Sequence, residues 1–525
     1  MSATNHRAKL PAELRAKLRA ELRADTAPDL APMLEAALNG AAESGREAID
    51  FGEQSISYRQ LLAAVSRVQQ QLNQADLQPG NRVGIHVERS PALIATLLAC
   101  LFSGVAFVPL DPLFPAGRLR DIADEAQLDA VLETGGDASA PIGFCCPVLS
   151  VEPEGEWPLQ AGNAAPMCSP LLRPHTTAYM MFTSGSTGKP KGVVISHQAL
   201  STFLCAALAR LNLDAGCHWL LITTIAFDIS MLEIFAPLLV GGRLRLTSSE
   251  EHKDPHAVAA ILARYPSVNT LQATPTFWRM LVNTGWQGQT GLTALTGGEA
   301  LDGGLAQQLL SRCAELWNCY GPTEATVWSL MSQVQPDQPI TIGRSLAGYG
   351  HLVLDDNDQP VAVGQEGELC IYGDALSDGY WQRADLTARQ FITRSDGLRY
   401  YRTGDHVRRL ADDSYQYFGR LDGQVKLRGY RIELGEIEAR LRGLAAVRDA
   451  AVTLEGEGEQ ATLVAYLEQG ERSGNSGSPE MTRLQLRKAL SAHLPGYMIP
   501  GRFVWLARLP TTASGKVDRK QLAVG

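Results

Sequence analysis

The stretch SPALIATLLACLFSGVAFVPL, residues 90–110, carries no charge over 21 positions, the length at which an apolar segment can cross a bilayer as one helix. Its punctuation gives a different reading. Pro91 suits the first position of a helix, where its missing N–H costs nothing. Gly104 suits a helix stop, and Pro109 interrupts the apolar run beyond it. The stretch therefore divides into a buried helix and a buried strand at 105–110, the unit from which layered α/β domains are built.

The same alternation extends outward. Helix-like segments, such as 58–73, alternate with short apolar β-branched runs, such as 82–87. Further strands are expected at 130–132, 178–182, 219–223, 243–246 and 292–296, and helices at 198–211, 230–239, 255–265 and 305–314. After residue 340 the pattern changes to short strands at 350–354, 367–372 and 414–418, which reads as a mostly antiparallel, β-barrel-like subdomain. Near Asp422 a glycine-punctuated stretch, GRLDGQVKLRGYRIELGEIE at 419–438, opens a segment of α+β character. It holds strands near 450–455, 462–467 and 503–506, a helix near 481–491 and a Gly/Ser-rich loop at 470–479. The expected fold is α/β: a large domain at 26–421 of layered sheets plus the barrel-like subdomain, then a small mobile α+β lid domain at 422–525. Residues 1–25 place Leu10, Leu14, Leu18 and Leu22 four apart among basic side chains, a solvated amphipathic helix or, alternatively, a partner-docking one.

The length of 525 residues supports two to four domains at roughly 150 residues each. Forty-seven Lys and Arg against 56 Asp and Glu give a net charge of −9, so no overall positive field exists to hold nucleic acid. Nine cysteines without a C-x-x-C pair argue against a disulfide framework or zinc site and for a reducing, cytoplasmic setting.

Five segments carry chemistry. TSGSTGKPKG at 183–192 places three glycines, four hydroxyl residues and two lysines after an apolar strand, a composition that suits a polyphosphate-binding loop. It is not a Walker A loop, because Pro190 follows Lys189. Asp228 sits in the apolar run WLLITTIAFDISMLEIFAPLL; burying it as an anion costs several kcal/mol unless something pairs with it. A substrate ammonium and a helix N-cap role answer equally at this point. NCYGPTE at 318–324 offers the flat face of Tyr320 to a base and the carboxylate of Glu324 to a magnesium ion. YRTGD at 401–405 offers Asp405 to a ribose diol. Lys516 in SGKVDR is the fifth.

Taken in order, ISYRQL at 56, LFSGVAFVPLDP at 101, TSGSTGKPKG at 183, FDIS at 227, NCYGPTE at 318, GELCIYG at 367, YRTGD at 401, the stretch at 419–438, LPGYMIP at 494 and SGKVDR at 514 resemble the adenylation domains of nonribosomal peptide synthetases, within the adenylate-forming superfamily. The resemblance runs from about residue 30 nearly to the end. It implies activation of an amino acid by Mg-ATP as aminoacyl-AMP and its transfer to the phosphopantetheine thiol of a peptidyl carrier protein.

Residue by residue, the resemblance implies that Lys516 bridges carboxylate and α-phosphate as the catalytic group. Thr183, Ser184, Gly185, Ser186, Thr187, Gly188, Lys189 and Lys191 hold the phosphates, Tyr320, Asp405 and Arg420 the nucleoside, and Glu324 the Mg2+. Asp228 takes the substrate amino group. Asp422 is the hinge whose rotation withdraws Lys516 and brings 426–431 to the site. The pocket falls on Ile229, Leu232, Gln272, Leu295, Gly297, Cys319, Val327 and Trp328. Its large side chains imply glycine, with alanine next. A small helper protein is a possible partner; no membrane or nucleic acid is expected. An acyl-CoA or aryl-CoA ligase of the same fold, and a non-catalytic nucleotide-binding protein, are the alternatives. SGKVDR and LSDGY at 376–380 depart from the family's usual NGKVDR and ARGY. The chain stops six residues after Arg519, as expected of a free-standing ligase or an excised domain.

Overall fold

The computed structural model describes residues 29–134, 142–151, 173–185, 189–394, 397–421, 424–456, 461–469, 481–510 and 517–522. The helix expected at 1–25, the loop at 470–479, Ser186, Thr187, Gly188, Asp422 and Lys516 lie outside the described residues.

The charge-free stretch folds as its punctuation implies. A helix spans Pro91–Ser103 with every residue buried, and Gly104 ends it at φ 68°. Strand Ala106–Pro109 follows and takes a central place in a seven-stranded sheet. The order is Gly379–Tyr380, Lys191–Ser196, Thr177–Thr183, Ala106–Pro109, Arg82–His86, Ala130–Thr134 and Val148–Val151. Its middle strands are parallel, and Thr177–Thr183 pairs with Lys191–Ser196 antiparallel.

A second sheet has nine strands, with Arg344–Ser345, Leu330–Gln333, Cys313–Tyr320, Gln289–Gly297, Thr270–Ala273, His218–Leu221, Arg243–Leu246, Glu47–Phe51 and Gln54–Ser57 in that order. All neighbours from Cys313–Tyr320 to Glu47–Phe51 are parallel, so their carboxyl ends lie along one edge, where α/β sheets place ligand sites. Helices Tyr58–Gln74, Pro91–Ser103, His197–Leu211 and Ile229–Leu239 share one continuous apolar core with both sheets.

One element differs from expectation. The helix foreseen at 305–314 ends at Leu310, and Cys313–Tyr320 is a strand. No glycine or proline separates the two in the sequence, so nothing local marks the stop. Burial between two neighbouring strands decides the outcome.

A five-stranded antiparallel sheet follows, built on Arg399–Arg409 and joined to the nine-stranded sheet by a bridge between Gly343 and Tyr415. The last segment contains a hairpin, Gln424–Leu427 with Tyr430–Glu433, then helix Leu434–Arg442 and a three-stranded sheet, Val447–Glu455, Thr462–Gln469 and Arg502–Leu506. It has its own core, including Ile432, Ile437, Leu463 and Leu486. Among the described residues no helix is long and apolar enough to cross a membrane.

Candidate functional site

The hydroxyl-rich loop connects two antiparallel strands, with Thr183 opposite Lys191, so it is a hairpin loop and not a strand-to-helix turn. Thr183 Oγ1 is buried without a hydrogen-bond partner. Ser184 is buried. Lys191 points inward, 3.2 Å from Glu433 and 5.1 Å above the Tyr380 ring. Lys189 departs from the group: its ammonium is largely exposed and pairs with Glu125.

Asp228 stands at the start of helix Ile229–Leu239 but makes no side-chain capping bond. It is 8% exposed, and its Oδ2 has no partner. Burial pushes its carboxyl up to about 6, against the opposing pull of a hydrogen bond from Thr323. No side-chain capping bond accounts for its burial at this position.

The pocket residues are brought together by strand register. Gln272 lies beside Leu295, and Gly297 beside Cys319, on adjacent parallel strands. Leu232, Gln272, Leu295, Cys319, Val327 and Trp328 are all buried; Ile229 is half-buried. The Trp328 indole N–H donates to Gln272 Oε1 at 2.9 Å, and Gln272 Nε2 donates to Ile229 O at 3.0 Å and Glu233 Oε1 at 2.9 Å. Glu233, fully buried, accepts from the N–H groups of Ile222 and Thr223 at 3.1 Å each and from the Thr223 hydroxyl. The indole is thus fixed in place over Gly297, where a Cβ would lie 2.7 Å from its Cη2 and 2.5 Å from Cys319 O. Only glycine fits that contact. Thr326 and Val327 are left-handed, at φ 53° and 71°. β-Branched residues avoid this region, and surrounding structure must hold them there. A bond from the Thr326 hydroxyl to Ala375 O at 2.7 Å contributes.

The nucleoside candidates also meet. Asp405 accepts from the Tyr320 hydroxyl and from Arg420 at 3.0 Å, and the side chains of Asp405 and Arg420 are nearly enclosed. Tyr320, Gly321, Asn318 and Trp328 line a cavity of about 90 Å³ that Lys426 closes from the small domain. The Lys426 ammonium lies 5.6 Å from the Tyr320 ring centre, and burial lowers its pKa.

Glu324 is fully buried. It accepts from Tyr380 at 2.7 Å and pairs with Arg431 at 2.8 Å. Burial alone would raise its pKa, but Arg431 and Lys191 hold it down to about 2. Among the described residues no cluster of three or more His, Cys, Asp or Glu side chains could enclose a metal. One anionic carboxylate beside a phosphate loop still fits Mg2+, which takes one or two protein carboxylates and completes its shell from phosphates and water.

Sequence reasoning missed several groups. Glu233 holds the pocket wall through backbone bonds that have no sequence signature. Tyr380 orients Glu324. Glu299 accepts from Thr276 and from the N–H of Gly429. Glu433 and Glu436 reach from the small domain into the phosphate loop, where Glu436 accepts from Gly185 N–H at 3.1 Å and pairs with Arg118. Their only signal in the sequence is that they are two of the three acids of ELGEIE at 433–438, which by itself does not mark a loop partner. The expected approach of 426–431 to the site is the arrangement the structure adopts: Lys426 and Arg431 both face it.

Residues 37–381 match the family model "AMP-binding enzyme", and residues 436–516 match "AMP-binding enzyme C-terminal domain". A dimodular nonribosomal peptide synthase of Bacillus subtilis (strain 168) is 36% identical over 474 residues, covering 89% of this chain and 20% of that protein. Tyrocidine synthase 3 of Brevibacillus parabrevis is 36% identical over 485 residues, covering 90% and 7% respectively. The chain thus spans a fifth or less of these relatives. Among solved structures, a four-domain nonribosomal peptide synthetase, holo-AB3403 bound to AMP and glycine, is 37% identical with a TM-score of 0.68; the match covers 94% of this chain and 36% of that one. PA1221, with adenylation and carrier domains, is 28% identical with a TM-score of 0.78, covering 97% and 98%.

Proposed function

Because this chain belongs to the AMP-binding enzyme family, and is an AMP-forming ligase related to the adenylation domains of nonribosomal peptide synthetases, we propose that it activates a small amino acid, glycine first and alanine next, and passes it to the phosphopantetheine thiol of a carrier protein. The observation that carries this reading is Asp228. A buried carboxylate with an unpartnered oxygen, within electrostatic reach of Glu324 and Arg431, is matched by a substrate α-ammonium. An acyl substrate without that charge would leave Asp228 unpaired.

In the first half-reaction the amino-acid carboxylate attacks the α-phosphorus of ATP, the bond to the β-phosphate breaks, and pyrophosphate leaves. Lys516 stabilises the charge that develops between carboxylate and α-phosphate. Thr183 to Lys191 hold the leaving phosphates, with the free Thr183 hydroxyl and the Lys191 ammonium directed inward. Tyr320, Asp405 and Arg420 hold the nucleoside. Mg2+ at Glu324 would neutralise phosphate charge when bound. In the second half-reaction a thiolate attacks the acyl carbon and AMP leaves.

Size selection rests on the Trp328 indole above Gly297, backed by Leu232 and Leu295. That the AB3403 structure holds glycine with AMP agrees with this reading. The test is amino-acid-dependent ATP/pyrophosphate exchange across the twenty amino acids, D-alanine, β-alanine and aryl acids. Highest exchange with glycine is expected. Exchange only with an aryl or fatty acid would overturn the role given to Asp228.

A further inference from the structure

A chain of hydrogen bonds runs from behind the pocket to its wall, and each link has a fixed direction. It begins at Glu233, fully buried on helix Ile229–Leu239. Glu233 Oε2 accepts from the N–H groups of Ile222 and Thr223 at 3.1 Å each, groups that can only donate. Its Oε1 accepts from Gln272 Nε2 at 2.9 Å and from the Thr223 hydroxyl. Burial raises the Glu233 carboxyl pKa, but the bonds from Thr223 and Gln272 and the field of Arg89 pull the other way. Arg89 is itself held beside this segment, donating to Leu221 O, Thr223 O and Thr247 O at 2.7, 2.8 and 3.2 Å.

The Gln272 amide has nearly the same shape with its oxygen and nitrogen exchanged, so its neighbours decide which end faces the pocket. Glu233 Oε1 and Ile229 O, at 2.9 and 3.0 Å, accept, and both amide hydrogens are taken by them. Only Gln272 Oε1 is left to face the pocket, where the Trp328 indole, a donor only, meets it at 2.9 Å. Gln272 and Trp328 are buried as well, so the protein itself supplies these partners.

We propose that Glu233 is a specificity-determining residue acting through Gln272: it fixes the amide with its oxygen toward the substrate pocket and so makes that wall hydrogen-bond accepting. The inference rests on the function proposed above and deepens it, from the size of the side chain admitted to its chemistry. While the indole is in place it occupies that oxygen, and the pocket reads size alone. With a smaller residue at 328, the oxygen faces the vacated space. It then favours a substrate side chain with a hydroxyl or amide donor over an apolar one of the same shape. Glu233 lies behind the wall and is a positioning residue.

The test is ATP/pyrophosphate exchange by the full chain with three amino acids of matched side-chain shape. Homoserine ends in a hydroxyl donor, norvaline is apolar, and O-methylserine carries an ether oxygen that can only accept. In Trp328→Ala, kcat/KM for homoserine should exceed that for norvaline about tenfold or more, with O-methylserine last, because only homoserine pairs the buried acceptor. Adding Glu233→Gln reverses the chain. The Ile222 and Thr223 N–H groups hold the oxygen of the new amide, so its NH2 faces Gln272 and draws the Gln272 oxygen away from the pocket. O-methylserine should then gain about tenfold on norvaline. Loss of a merely structural contact would lower all three substrates together and keep their ranking. If thermal unfolding shows that the Glu233→Gln chain is not folded, Trp328→Ala with Gln272→Met takes its place, and homoserine and norvaline should come level. Equal use of homoserine and norvaline by Trp328→Ala overturns the proposal, and so does a ranking that survives the second substitution. Wild-type exchange with glycine or alanine alongside either result leaves the function standing. No wild-type exchange with any amino acid overturns the function and this inference together.

Discussion

Replacing Asp228 by Asn keeps the shape of the side chain and removes its charge, and the same buried oxygen then affects both stability and binding. For stability, the carboxyl titrates at about 6 in the folded chain, raised chiefly by burial, against 3.8 ordinarily. The folded state therefore binds the proton more tightly than the unfolded state between those values, and stability falls as pH rises through that window. At 1.36 kcal/mol per pH unit, the interval amounts to ~3 kcal/mol lost by pH 7.5. The Asn variant lacks this titration. Its stability relative to wild type, by chemical unfolding of the ligand-free protein, should improve by ~3 kcal/mol between pH 3.5 and pH 7.5. For binding, the substrate ammonium loses a buried partner, a change worth about 2 to 5 kcal/mol, so the amino-acid KM in exchange should rise at least ~30-fold. The ATP KM should stay within about twofold, since no ATP group pairs with Asp228 in the proposed reading. For wild type, the amino-acid KM should also rise as pH drops below about 6. Equal effects on amino acid and ATP, or a flat stability difference across pH, would refute the reasoning.

Three other outcomes are expected. Lys516→Ala should lower adenylate formation by about 10²- to 10³-fold, as loss of a transition-state charge does, while ATP binding by calorimetry persists; unchanged turnover removes Lys516 from the mechanism. Trp328→Leu should open the pocket, and the exchange ratio of larger amino acids to glycine should rise about tenfold or more; an unchanged ratio means the indole does not set pocket size. Gly429→Ala puts a Cβ 2.3 Å from Thr274 Cγ2, a contact of this domain arrangement costing about 1 to 3 kcal/mol, on top of the strain that its φ of 82° brings in any arrangement. Thioester formation should slow, with exchange rates nearly unchanged, and an equal loss in both assays counts against that arrangement serving the second step.

What the sequence discloses is what local composition encodes. Pro91 and Gly104 divide the charge-free stretch, and both act where they stand. Tyr320, Asp405 and Arg420, drawn from three separate motifs, meet in one cluster. The strand at Cys313–Tyr320 was not legible, because its identity comes from burial between a parallel strand, Gln289–Gly297, and an antiparallel one, Leu330–Gln333, and not from its own composition. Glu433 and Glu436 were not legible either. Their partners Lys191 and Gly185 lie 242 and 251 residues away, and an acid at a helix start has an ordinary explanation close at hand. The left-handed Thr326 and Val327 run against local preference, and only tertiary contacts supply the reason. Lys189, chosen from its motif, pairs outward with Glu125, since density of charge in a loop does not say which charge turns inward.

The bond between the Trp328 indole and Gln272 has a consequence for how such a pocket changes its taste. Removing the indole alone leaves the Gln272 carbonyl oxygen buried without its donor, and an orphaned acceptor costs about 1 to 3 kcal/mol. Removing Gln272 alone strands the indole N–H and loosens a hydrogen bond to Glu233. Each single step strands one end of that bond, whereas replacing both by apolar residues of matching volume leaves neither end stranded, at the remaining cost of the bonds from Gln272 to Glu233 and Ile229 O. Positions 272 and 328 should therefore be inherited as a pair. A lineage moving from small to large substrates would lose less stability by a double step, and a library that varies the two sites together should recover more stable pockets than scans of single sites do.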